Sequence, residues 1–139
     1  MAALGTRSLT LKLAATDVTV QVSNCRIVSG AADSDFTSFA DAAAGGSRTY
    51  RLQGTASQDV ATGSIWDKIW NSAGSTVAVI VAPNGGATAS PTQPTFSGNV
   101  IITEPDGDLL GGEANASATA KFTIDFDWEF TAKPTMATA

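Results

Sequence analysis

Three carboxylates stand at i, i+2 and i+4 in the run Asp125-Phe126-Asp127-Trp128-Glu129. On a β-strand that spacing puts them on one face. Carboxylates so placed could act as a general acid–base pair or hold a hard cation, but either use needs partners from other elements. The chain has no histidine, which excludes Ser-His-Asp and Cys-His catalysis and removes the commonest transition-metal ligand. Glu104, Asp106 and Asp108 surround Gly107. Their oxygens suit calcium, but the spacing is not that of an EF-hand, and a solvated turn is the expectation. Cys25 is the single cysteine, so neither an internal disulfide nor a Cys-only zinc site can form. Arg26 beside it could lower its pKa, yet a cysteine in a strand reads as a small buried hydrophobe. Asn115-Ala116-Ser117 fits a glycosylation pattern that is common by chance. The expectation is no catalytic residue, no metal and no cofactor. Two readings of the acid row stay open: a solvated face, or an electrostatic surface shared in an assembly.

The elements that position these residues read mainly as strands. Phe122, Ile124, Phe126, Trp128 and Phe130 alternate with Lys121, Thr123, Asp125, Asp127, Glu129 and Thr131. Such alternation predicts a long strand with one buried and one wet face. Leu9, Leu11 and Leu13 predict a first strand, and Val18, Val20 and Val22 a second, with Ala15-Thr16-Asp17 as the turn between them. Ser23-Asn24-Cys25 breaks the pattern as a bulge would. Arg48–Ala56 and Phe96–Ile102 add further strands. Val77–Ala82 is apolar at every position, which predicts burial on both faces.

One segment changes period. Ser64 caps, and Asp67 supports, a helix over 64–73 whose Ile65/Ile69 and Trp66/Trp70 pairs make a wide apolar face. Gly74 stops it. These four side chains are expected to hold the helix on the sheet. Residues 29–47 are rich in Ala, Gly, Ser and Asp, with Phe36 and Phe39 as the large apolar residues. So long a connection is a functional arm or a mobile loop. An arm docking on a neighbouring subunit would give both rings a place out of water.

The fold class expected is mainly β: an antiparallel sandwich or barrel flanked by one short helix, with a long loop between early strands. The 139 residues suit one domain, 1–139, ending in a tail at 132–139. The net charge of −5 argues against a nucleic-acid binder. No stretch reaches the ~18 apolar residues of a membrane helix. The first seven residues do not read as a signal peptide, which predicts retention in a cytosol unless the chain leaves within something larger.

From Arg48 to Trp128 the order of motifs resembles the major tail protein, or tail tube protein, of bacteriophages with long non-contractile tails. The resemblance rests on Tyr50-Arg51-Leu52-Gln53-Gly54 leading to Asp59, and on Trp66-Asp67-Lys68-Ile69-Trp70 with Ala73-Gly74. It continues through Val77–Gly85, Pro94–Val100, Gly111-Gly112-Glu113-Ala114 and Phe122–Phe126. It implies a β sandwich with a flanking helix, in subunits that form hexameric rings. Stacked rings make the hollow tube through which DNA leaves the virion. The implied partners are further copies of the chain, proteins at the tube ends and a tape measure protein in the lumen, with DNA passing unbound and no membrane insertion. The implied place is the virion, after assembly in the bacterial host cytoplasm. It also implies a long loop reaching a neighbouring ring, which falls on 29–47. Asp125, Asp127 and Glu129 are then lumen-lining candidates, and Phe36 and Phe39 candidates for the inter-subunit arm. Many relatives carry an added immunoglobulin-like domain, for which these 139 residues leave no room.

Two other readings compete. A soluble, monomeric carbohydrate-binding module would expose Trp66, Trp70 or Trp128. A hydrolase would use Asp125 and Asp127, but no base-rich cleft is legible around them.

Overall fold

A computed structural model describes residues 4–31, 36–45, 48–85 and 89–138. The first strand, β1 (Thr10–Leu13), sends Leu11 and Leu13 into the core. It turns through Ala14 and Ala15, both at positive φ (50° and 67°), into the two-residue β2 (Thr16–Asp17). Two left-handed residues between paired strands match the right-handed twist of a hairpin.

The strand expected over Val18–Val22 does not form, and Asp17 is the reason. Its carboxylate accepts from the Thr19 N–H at 2.9 Å and from the Thr19 hydroxyl at 2.5 Å. These bonds fold the chain into a 3₁₀ turn over Thr19–Gln21. Val18 is driven into the core, while Val20 points to solvent. The Thr19 hydroxyl, then its amide, holds the Asp17 carboxyl below its ordinary pKa.

Strand β3 (Val22–Ala31) then pairs antiparallel with β4 (Arg48–Ser57), with a register shift between Val22 and Asn24 where the sequence predicts a bulge. The expected 29–47 loop is therefore shorter than its bounds. Residues 29–31 belong to β3, and Phe39–Ala43 form a five-residue helix, α1. Ser38 starts α1 with a full capping box, its hydroxyl accepting from Asp41 N and its own N–H donating to the Asp41 carboxylate. Residues 32–35 and 46–47 of the expected loop lie outside the described residues.

The flanking helix is α2 (Ile65–Ser72). Ser64 Oγ accepts from Asp67 N at 3.1 Å, and Asp67 accepts from Gly63 N at 3.1 Å. Gly74 leaves the helix at φ 89°. Strand β5 (Thr76–Ala82) follows, and then β6 (Thr95–Ile101), β7 (Thr123–Phe130) and β8 (Thr135–Ala137). Burial of β5 on both faces is not observed. Val79 and Val81 are in the core, but Ala78 and Ile80 face outward because only the inner side of the strand meets the core. The expected 132–139 tail holds β8, which pairs with β6.

Among the described residues, the eight strands form one antiparallel sheet in the order β2-β1-β5-β6-β7-β4-β3, with β8 also on β6. The sheet rolls, so that Leu11 of β1 and Leu52 of β4 share one cluster with Val79, Val100, Phe126 and Trp128. Helix α2 packs on this core through Ile65 and Ile69, both fully buried. Gln21 Oε1 accepts from Ile65 N at 3.1 Å, tying the helix start to the 3₁₀ turn. Gly74 N donates to Ile102 O at 2.7 Å, and Ile102 N to Ser75 O at 2.9 Å, tying its exit to the end of β6. The architecture is a mainly antiparallel β sandwich with one short helix packed on it. Among the described residues no helix is long and apolar enough to cross a membrane.

Candidate assembly surfaces

Alternation along β7 buries Ile124, Phe126, Trp128 and Phe130 and turns Asp125, Asp127 and Glu129 outward. The acid row thus has the shared face its spacing predicts. What the sequence reading missed is the neighbouring strand. Antiparallel pairing sets Thr55 opposite Asp125, Gln53 opposite Asp127 and Arg51 opposite Glu129. Thr55 Oγ1 donates to Asp125 Oδ1 at 2.9 Å, and Arg51 Nε donates to Asp127 Oδ1 at 2.6 Å. Arg26 on β3 is paired with Gln53 one strand further out. The face therefore carries two cations beside its three acids. The signal was in β4, where Arg51, Gln53 and Thr55 alternate with Leu52, Gly54 and Ala56.

Asp127 is engaged by Arg51, and Asp125 by a hydroxyl. Among the described residues no group of three His, Cys, Asp or Glu side chains could hold a metal ion. Glu104, Asp106 and Asp108 lie in a stretch without strand or helix, their side chains in solvent.

The residues expected to seat the helix divide. Ile65 and Ile69 are buried, and Trp66 is half-buried, its Nε1–H donating to Leu109 O at 2.8 Å. Trp70 is not a core residue. It is 50% exposed and stacks on Trp66, with ring centroids 5.2 Å apart. The i,i+4 pairing holds, but Trp70 lies over the outer side of its neighbour. Trp128 is fully buried beside Phe126, so it offers no platform for a sugar. Cys25 is partly buried in β3, and desolvation pushes its thiol pKa up to about 11. That is the buried-hydrophobe reading, not the activated one.

The arm is the other surface. From Phe36 to Gly45 every residue except Ser38 is exposed, and α1 buries none of its side chains. Phe36 is 78% and Phe39 97% exposed. The capped helix and the residues leading into it therefore display two aromatic rings to solvent.

Comparison with protein-family models, with curated proteins and with solved structures returns no significant match.

Proposed function

We propose that the chain is a structural, self-assembling subunit of a tail tube. Its copies close into rings, six-fold by the family resemblance, and the rings stack into a hollow conduit for DNA. The observation that carries the reading is the exposed arm. Burying one phenylalanine is worth roughly 1.5–3 kcal/mol, and Phe39 at 97% exposure gains almost none of that within its own chain. A capping box that orders a helix with nothing buried under it makes sense if the helix has a surface elsewhere to meet.

The remaining features fit this role without a substrate. The β4–β7 face is polar throughout its centre and suits a wall along which DNA slides. No residue is assigned to catalysis, and no cofactor or metal is invoked. The partners proposed are other copies, proteins at the tube ends, a tape measure protein in the lumen and transient DNA, within a virion assembled in the host cytoplasm. Negative-stain microscopy of concentrated pure protein tests the reading. Rings or rods support it, whereas a monodisperse monomer across the accessible concentration range overturns it.

A further inference from the structure

The rolled sheet ends on two edges of unlike kind. The outer side of β1 is occupied. Leu11 N donates to Thr19 Oγ1 at 3.1 Å, Leu11 O accepts from Val18 N at 3.0 Å, and β2 pairs with Lys12 and Leu13. The outer side of β3 is open. Among the described residues this ten-residue strand pairs with β4 alone, so its far side presents a row of unpaired backbone groups.

The segment that leads into β1, Leu4–Leu9, lies along this open edge. It is neither strand nor helix, and no hydrogen bond ties it to the rest of the described chain. Two hollows lie between it and β3. One, of about 560 Å³, is lined by both Arg7 and Cys25, and the other, of about 450 Å³, by both Leu4 and Ile27. Leu9, Val22 and Cys25 pack on the same core and hold the inner end of the seam together. The directions match as well. Five antiparallel pairings lead from β1 through β5, β6, β7 and β4 to β3. An odd number of reversals leaves β1, and the chain entering it, antiparallel to β3. The backbone groups also point the right way. Leu11 turns its N–H and C=O to the outer side of β1, and the two-residue period of a strand turns those of Leu9, Arg7 and Gly5 the same way.

We propose that Leu4–Leu9 is a strap that closes on β3, pairing antiparallel with Val22–Ile27 and turning the open roll into a closed barrel. Six extended residues span roughly 20 Å, enough to cover that stretch of β3. Closing supplies partners for the backbone groups of β3 and fills the hollows. Closure also removes the sheet's open edge, which can otherwise accept a strand from another molecule. The strap therefore sets whether the fold presents a template for strand addition. The inference concerns the single dispersed chain and does not rest on the tail-tube reading.

Cys25, the chain's single cysteine, is the reporter. Arg7→Cys and Thr6→Cys alter exposed side chains, so both variants keep the core. Each is oxidised in dilute protein. Alternation back from the buried Leu11 sets position 7 on the inner face, which Cys25 shares through its packing on the core. Position 6 turns to the other face, where the Cβ vectors point apart and a disulfide cannot close. The expected result is an intrachain disulfide in Arg7→Cys and its loss in Thr6→Cys. Equal linking in both variants describes a strap that passes β3 unpaired and overturns the proposal. So does linking in neither, or linking between chains only. Amide hydrogen exchange of the unsubstituted chain gives a second measure. Amides at alternate positions of β3 point away from β4. They should exchange slowly and lose that protection in Arg7→Pro, which removes an N–H from the closing ladder. Exchange of these amides as fast in the unsubstituted chain as in Arg7→Pro would show that the strap does not close.

Discussion

The ring of Phe126 lies across the backbone of Gly54, the residue directly opposite it on β4. A Cβ at position 54 would stand 2.6 Å from Cζ of that ring and would also run into the Asn24 carbonyl on β3. The glycine therefore lets the core's central aromatic pair, Phe126 and Trp128 at 4.8 Å, settle against the sheet at the bulge. Gly54→Ala is expected to cost about 1–3 kcal/mol or more, because a backbone oxygen cannot step aside as a side chain can. Thermal melting against the parent measures this. An unchanged melting temperature would mean that the bulge relaxes freely.

The hairpin turn offers the opposite change. Ala14 and Ala15 both occupy the left-handed region, where an L residue with a Cβ is strained by roughly 1–2 kcal/mol. Asn-Gly suits this turn type. The double substitution Ala14→Asn, Ala15→Gly should raise stability by about 1 kcal/mol or more, read as a shift of the denaturation midpoint at constant slope. A loss of stability would show that the turn is not of this type.

Much of the fold was legible where one face of a strand is apolar and the other polar. The β7 alternation indicated the inward Ile124, Phe126, Trp128 and Phe130 and the outward acids, though Phe122, expected inward, lies ahead of the strand and is 48% exposed; the Ser64–Asp67 pair located the start of α2. The signal failed where local hydrogen bonding beat periodicity. Val18, Val20 and Val22 alternate like a strand, yet the Asp17–Thr19 bonds curl the chain there. It failed again at β5, where composition showed that both faces are apolar but not which neighbours exist to cover them. The acid row was found and its neutralising partner missed, because Arg51 lies 76 positions away and only the sheet register brings it to Asp127.

The two helix tryptophans should part company on truncation. Trp66 is half-buried and carries the hydrogen bond to Leu109 O, so Trp66→Ala should cost about 3 kcal/mol or more. Trp70 is half exposed and loses mainly its stacking partner, so Trp70→Ala should cost roughly 1 kcal/mol. Chemical denaturation of both variants decides the order. Equal large losses would return Trp70 to the core.

Cys25 makes stability depend on alkaline pH. Its folded pKa is raised to about 11 from an ordinary 9.0, because burial disfavours the thiolate. The unfolded thiol therefore ionises first. The contribution is complete below the ordinary pKa and is lost as pH rises through the folded one, amounting to roughly 3 kcal/mol at most. Tyrosine and lysine titrate in the same window, so the measurement is the difference in slope between the native chain and Cys25→Ala. Parallel curves would place the thiol in water.

The outward face of β7 carries the last prediction. Arg51 and Asp127 are 39% and 50% exposed, so their ion pair is worth less than about 1 kcal/mol. Its effect is on the field. Three acids with Arg51 and Arg26 beside them leave one net negative charge on this part of the sheet, not three. If, as proposed, this face lines the lumen of a tail tube, such a wall would neither bind phosphate nor repel it strongly, as a sliding duplex requires. Replacing Asp125 and Asp127 with lysine turns the same face strongly cationic and frees Arg51, so phosphates would be held with release of counterions. Tubes carrying Asp125→Lys and Asp127→Lys should still form, since both side chains are exposed and neither supports the core. Release of DNA from particles built with them should slow, and slow most at low ionic strength, where screening is weakest. Arg51→Gln should instead leave release unchanged and stability within about 1 kcal/mol. Normal release from the lysine variant at low salt would remove this face from the lumen, and so would an assembled structure with Asp125 on the outer wall.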